Sequence, residues 1–126
     1  MLDFILARQQ MVDRQIAGRG VRDMRVLCAM REAPRECFVA DEMSEFAYQD
    51  SPLPIEAGQT ISQPYIVACM LEAAELKPND RALEVGTGSG YAASLLSRLC
   101  REVFTIERHN VLAGANATPS SWLQQY

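Results

Sequence analysis

Between Leu83 and Tyr91 the chain reads LEVGTGSGY, with Gly86, Gly88 and Gly90 at every second position behind the acidic Glu84. Such a turn meets two physical needs: glycine admits positive φ, and the missing side chains let a ligand approach the main chain. The helix expected after it presents unpaired amides and the positive end of its dipole. Spacing separates the ligands that use turns of this kind. A phosphate-cradling loop follows G-x-x-x-x-G-K with Ser or Thr, and no such lysine is present. The dinucleotide pattern G-x-G-x-x-G requires glycine at position 91, where Tyr91 stands. Both phosphate readings are therefore weakened. Glu107 closes the next apolar run, EVFTIE, seventeen positions after Gly90. Nucleotide-binding βαβ units place an acid at that point to accept hydrogen bonds from ribose hydroxyls. The glycines alone are compatible with a tight structural turn; Glu84 before them and Glu107 after favour a ligand. Arg108 and His109 read as a solvent-facing loop.

The elements around this turn follow from periodicity. Residues 3–17 predict an amphipathic helix, with Phe4, Ile5, Met11, Val12 and Ile16 near helical spacing and Gly18 and Gly20 as the stop. A second helix is predicted from Asp23, a capping residue, to Glu32, with Pro34 ending it. The prolines of SPLPIEAG exclude an internal strand or helix and predict an extended connector that lays Leu53 and Ile55 against the core. A third helix is predicted over 65–76, with Ile66, Val67, Met70, Leu71 and Ala74 on its apolar side. Ser62 is its expected N-cap, and Pro64 lies in the first turn. RALEV reads as a buried parallel strand, and a fourth helix runs from Tyr91 to about Cys100. Strand, glycine turn, helix, strand makes one βαβ unit.

Composition narrows the function classes. The 126 residues are 48% hydrophobic and 22% charged, which suits one globular domain with a modest core. Net charge is −4 with no basic stripe, so a nucleic-acid partner is not expected, and no lysine or arginine tract favours an anionic membrane. The N-terminal run resembles neither a signal peptide nor a membrane span. Four cysteines, Cys28, Cys37, Cys69 and Cys100, are widely spaced, and His109 is the sole histidine, so no metal site is expected. Three of the thiols sit in apolar helical contexts and are expected to be buried and free, which suits a reducing cytoplasm.

The pattern E-x-G-x-G-x-G resembles motif I of the S-adenosylmethionine-dependent methyltransferases. That cofactor carries no phosphate, so no lysine is required, and its ammonium and sulfonium suit acidic neighbours. Upstream, GQTISQPYIVACM places two hydroxyls and an amide ahead of a helix. Taken in order, APRECFV, AYQDSPLPIEAGQTISQP and LEVGTGSGYAASLL resemble the protein-L-isoaspartate O-methyltransferase family from about Gln10 to Arg108. T-I-S-Q-P is more specific to that family than the glycine motif. The resemblance implies methyl transfer from S-adenosylmethionine to the α-carboxyl of L-isoaspartyl residues in damaged proteins, whose esters then close to succinimides. It also implies a site. Thr60, Ser62 and Gln63 fall beside the reacting groups, with Ser62 the residue expected to touch substrate. Glu84, Gly86, Thr87, Gly88 and Gly90 form the cofactor turn, and Glu107 meets the ribose.

After His109 the likeness fades, and GANATPSSWLQQY, with Gly114 and Pro119, opposes a long helix. The expected architecture is a partial Rossmann-like α/β fold, comprising N-terminal helices and the first βαβ unit without later strands. Its regions are a helical part and connector over 1–58, the first half of a cofactor-binding domain over 59–109, and a divergent tail over 110–126 whose order the sequence leaves open. A truncated or frame-shifted methyltransferase with weak or no activity alone is one expectation. A fragment that binds cofactor or a partner without turnover is the other. A sheet of two parallel strands would leave an edge open to pairing.

Overall fold

The computed structural model describes residues 2–108 and 123–125. Helix α1, Phe4–Gln10, starts where the Asp3 carboxylate accepts the Leu6 amide, and it runs on as a π-helical segment, Met11–Ile16. The π segment buries Met11, Val12 and Ile16, and Gly20, at φ 104°, closes the following turn as expected. Ile5 points away from the core and is exposed, so the predicted apolar stripe shifts at the start of this helix. Helix α2, Met24–Glu32, is capped by Asp23 Oδ1, which accepts the amides of Arg25 and Val26. It ends as the chain turns extended at Ala33, ahead of Pro34.

The proline-rich connector is more ordered than predicted. Strand β1, Leu53–Pro54, pairs antiparallel with β2, Thr60–Ile61, and the Ile55 amide donates to Gln59 O. Leu53 is buried and Ile55 packs against the core, as the sequence requires. Helix α3 spans Pro64–Ala73, shorter than predicted, and two expectations about it are corrected. Its N-cap is Gln63, with no side-chain capping bond, so Ser62 is not the cap. Its buried side is Pro64, Val67, Ala68 and Leu71, while Ile66 and Met70 are exposed. The helix is apolar on nearly every side, so its packed face is chosen by neighbours: Val67 and Leu71 reach the cluster of α1, the π segment and α2.

Strand β3, Arg81–Val85, leads through the glycine turn to α4, Tyr91–Leu99, and then β4, Glu102–Ile106. β3 and β4 pair in parallel, Leu83 opposite Phe104 and Glu84 opposite Thr105, as the βαβ reading requires. The edge of β4 predicted to be open is paired antiparallel with β5, Leu123–Gln125, giving the order β3-β4-β5. This adds a third strand to the two expected, contributed by the tail whose order the sequence leaves open. His109 of the expected loop lies outside the described residues.

The main core joins the N-terminal segments, α2, α3 and α4, with Val12, Ile16, Met30, Tyr91 and Leu95 all fully buried. Arg25 at α2 reaches across to Leu76 O and Leu99 O, fixing the ends of α3 and α4 beside it. On the sheet, Val103 and Thr105 are buried on the α4 side. Leu83 and Val85 are 61% and 80% exposed on the other side, so RALEV is buried on one face rather than two. The cysteines also depart from expectation. Cys100 alone is buried, Cys69 is half-buried, and Cys28 and Cys37 are exposed; all four are free thiols. Among the described residues no helix is long and apolar enough to cross a membrane, and no three metal-ligating side chains converge.

Candidate functional site

The glycine turn sits where β3 hands over to α4, and the end of β4 fixes its shape. Gly86, Gly88 and Gly90 take φ of 92°, 56° and 90°, a region that costs other residues strain. The amides of Gly86 and Thr87 both donate to Ile106 O, at 2.7 and 3.2 Å. The Gly88 amide donates to Glu107 Oε1 at 2.9 Å. Glu107 is 5% exposed, so an acid at the strand end shapes the turn as well as lining the space beside it. Gly90 is the N-cap of α4, and its own amide donates to Thr87 O.

Behind the turn lies a short chain of buried hydroxyls. Thr87 Oγ1 and Thr105 Oγ1 are 2.5 Å apart, and Thr105 Oγ1 donates to Glu84 Oε1 at 2.9 Å. Burial pushes the Glu84 carboxyl up to about 7; the Thr105 hydroxyl opposes this and neighbouring Glu107 adds to it. Two carboxylates that gain from a positive charge thus flank backbone that a ligand can approach closely.

Two cavities meet at the turn. One, about 100 Å³, lies between Thr60, Ile61 and Ser62 on one wall and Glu84, Gly86, Thr87 and Gly88 on the other, with Tyr91 closing it. The second, about 420 Å³, is lined by Gln59, Thr60, Val85, Gly88, Glu107 and Arg108. Thr60, Gly86 and Gly88 belong to both. The structure therefore brings together Thr60, Ser62, Glu84, Gly86, Thr87, Gly88 and Glu107. Gln63 stands apart from the cavities: its Nε2 donates to Asp50 Oδ1, which Arg19 also engages. Arg108 is exposed, consistent with a loop.

Sequence reasoning missed two residues. Thr105 shares the α4-facing side of β4 with Val103, and strand alternation counted back from Glu107 was signal enough to find it. Arg35, in APRECFV, is fully buried beneath the site, and no local pattern announces that. Its Nη2 donates to Ser62 O at 2.8 Å and its Nε to Ala47 O at 2.6 Å.

Comparison with known proteins bears on this arrangement. Residues 6–125 match the family described as Protein-L-isoaspartate(D-aspartate) O-methyltransferase, so the match runs beyond His109, after which the resemblance was expected to fade. Protein-L-isoaspartate O-methyltransferase 2 of Pelobacter propionicus is 59% identical over 106 residues, covering 84% of this chain and 47% of that protein. The Koribacter versatilis protein-L-isoaspartate O-methyltransferase is 60% identical over 110 residues, covering 87% and 50%. The chain thus spans about half the length of the curated relatives it matches. Among solved structures, a Plasmodium falciparum protein described as a protein-L-isoaspartate O-methyltransferase in complex with S-adenosyl-L-homocysteine superposes with a TM-score of 0.72 at 28% identity, over 86% of this chain and 52% of that one.

Proposed function

Because the chain belongs to the protein-L-isoaspartate(D-aspartate) O-methyltransferase family, we propose that its glycine turn binds S-adenosylmethionine and that the site serves methyl transfer to the α-carboxyl of L-isoaspartyl residues. The observation that carries this reading is the acid pair, Glu84 and Glu107, set against a positive-φ turn and facing the Thr60 and Ser62 wall. The donor set fits a ligand with a cationic head and a hydroxyl-bearing ring: Glu84 meets positive charge in the small cavity, and Glu107 accepts from hydroxyls in the larger one. When bound, the cofactor supplies an electrophilic methyl group on a cationic sulfur.

The remaining work falls to the chain's own side chains. An isoaspartyl α-carboxyl with a pKa near ~4 is ionised at neutral pH, so the site needs no general base. Ser62, exposed on the cavity wall, offers a hydroxyl that orients one carboxylate oxygen while the other attacks. Thr60 lines both cavities and spans the boundary between the two ligands. Alignment and exclusion of water are then the sources of rate. Gln63 takes a supporting place, tying this segment to Asp50.

A second reading, binding without appreciable turnover, is favoured by the open sheet face, where Val85 at the edge of the larger cavity stays 80% exposed. One pair of measurements separates the two. Calorimetry with S-adenosylhomocysteine on the purified chain is expected to give saturable binding, and its absence overturns both readings. Incubation with methyl-labelled S-adenosylmethionine and an isoaspartyl peptide is expected to give weak labelling. Binding with no label above background leaves the second reading standing.

A further inference from the structure

We propose that Arg35 is a positioning residue that holds the Thr60 and Ser62 wall at a fixed separation from the glycine turn and so sets the width of the smaller cavity. Its guanidinium is fully buried and joins three parts of the chain. Nη2 donates to Ser62 O in the segment before α3, and Nε donates to Ala47 O, which anchors the group from below. Cζ lies 4.9 Å from the centre of the Tyr91 ring, the first residue of α4 after the turn. Tyr91 and Ser62 both line the same small cavity, so one rigid planar cation touches the segment before α3 and the start of α4 that bound it.

Arg35 is an expensive way to fill that space. Among the described residues its hydrogen bonds go to carbonyl oxygens, and no carboxylate pairs with it. Nη1 and the Tyr91 hydroxyl are both buried without a hydrogen bond of ordinary geometry. Burial accordingly lowers the pKa of Arg35, with the Tyr91 phenol acting in the opposite sense. A methionine or leucine would pack the site without desolvating a charge. What the apolar side chain lacks is the planar fork that reaches two carbonyls at once while stacking on a ring.

The ligand in this proposal comes from the reading above, whereas the clamp itself does not depend on it, and the test separates the two. Wild type, Arg35→Met and Arg35→Lys are compared by thermal unfolding, by calorimetry with S-adenosylhomocysteine and by amide hydrogen exchange over residues 59–65. Arg35→Met should keep a cooperative transition near that of wild type yet bind about tenfold or more weakly. Exchange over 59–65 should then rise about tenfold, with α2 unchanged. Arg35→Lys, which keeps the charge and one donor direction, should recover binding to within about threefold of wild type. A merely space-filling role predicts Met at least as good as Lys; that order, or wild-type exchange in Arg35→Met, overturns the proposal. If Arg35→Met does not fold, a folded Arg35→Lys in which binding and exchange part company, either wild-type exchange over 59–65 with binding about tenfold weaker or about tenfold faster exchange with wild-type binding, overturns it equally. If wild type itself binds no S-adenosylhomocysteine, the ligand reading fails, and the exchange rates still decide the clamp.

Discussion

Replacing Glu84 by glutamine should strengthen the fold while weakening the ligand. The carboxyl moves from an ordinary 4.5 to about 7 on folding, chiefly through burial. Taken in full, such a displacement disfavours the charged form by about 3 kcal/mol. The group is partly open to solvent, so about 2 kcal/mol is the working figure. Below pH 4.5 native and unfolded chains are both protonated here, and Glu84 costs nothing. Between 4.5 and about 7 the unfolded chain has released its proton while the native chain retains it, so stability falls as pH rises. Above 7 the whole cost persists. Glu84→Gln removes it: the amide still accepts from Thr105 Oγ1 and carries no charge to desolvate.

Thermal unfolding followed by circular dichroism from pH 4.5 to 8 measures the effect. The two curves should coincide at the acid end and separate by about 2 kcal/mol at pH 8, roughly 6–10 °C in a domain of this size. A ligand with a cationic head favours ionised Glu84, so its binding below pH 7 should release protons. Calorimetry in two buffers of different ionisation enthalpy counts them, and Glu84→Gln should bind more weakly with no release. A glutamine variant no more stable than wild type at pH 8, or one with the same pH dependence, refutes the reasoning.

The remaining predictions concern the turn, its brace and the core. Gly88→Val places a branched side chain at φ 56°, where any Cβ is strained, and should abolish calorimetric binding of S-adenosylhomocysteine at a cost of about 1–2 kcal/mol in unfolding free energy. Glu107→Ala removes the carboxylate that accepts from the Gly88 amide and should weaken that binding about tenfold while costing about 1–2 kcal/mol, read by titration and by denaturant midpoint. Leu95→Ala, in the fully buried centre of α4, should cost about 2–5 kcal/mol, whereas Val85→Ala on the open sheet face should stay within about 0.5 kcal/mol; equal costs in urea unfolding would show that the face is covered in solution.

The parts of the molecule legible in the sequence are those whose causes are local. The βαβ unit was visible because a glycine turn must follow a strand end and precede a helix, and the three positive-φ glycines bear this out. Asp23 at the start of α2 and the stop at Gly20 are equally local. The misjudged features depend on what lies across the fold. PYIVACMLEA is apolar nearly all round, so nothing within it tells that Leu71 is buried and Met70 exposed; the position of α2 decides. Ser62 resembles a cap because serine is a favoured cap residue and stands two positions before Pro64, although the residue directly before that proline is Gln63. Its carbonyl is instead tied to Arg35, twenty-seven positions earlier in the chain. The same distinction divides the candidate site. The glycine turn and its two acids could be named from spacing because their geometry is set within one βαβ unit. The opposite wall, with Thr60 and Ser62, is held by a buried cation whose two acceptors, Ala47 O and Ser62 O, are main-chain atoms that any residue supplies. Acceptors without side-chain identity leave no trace in sequence, so how the Thr60 and Ser62 wall is held is the part of the cavity that only three-dimensional structure can place.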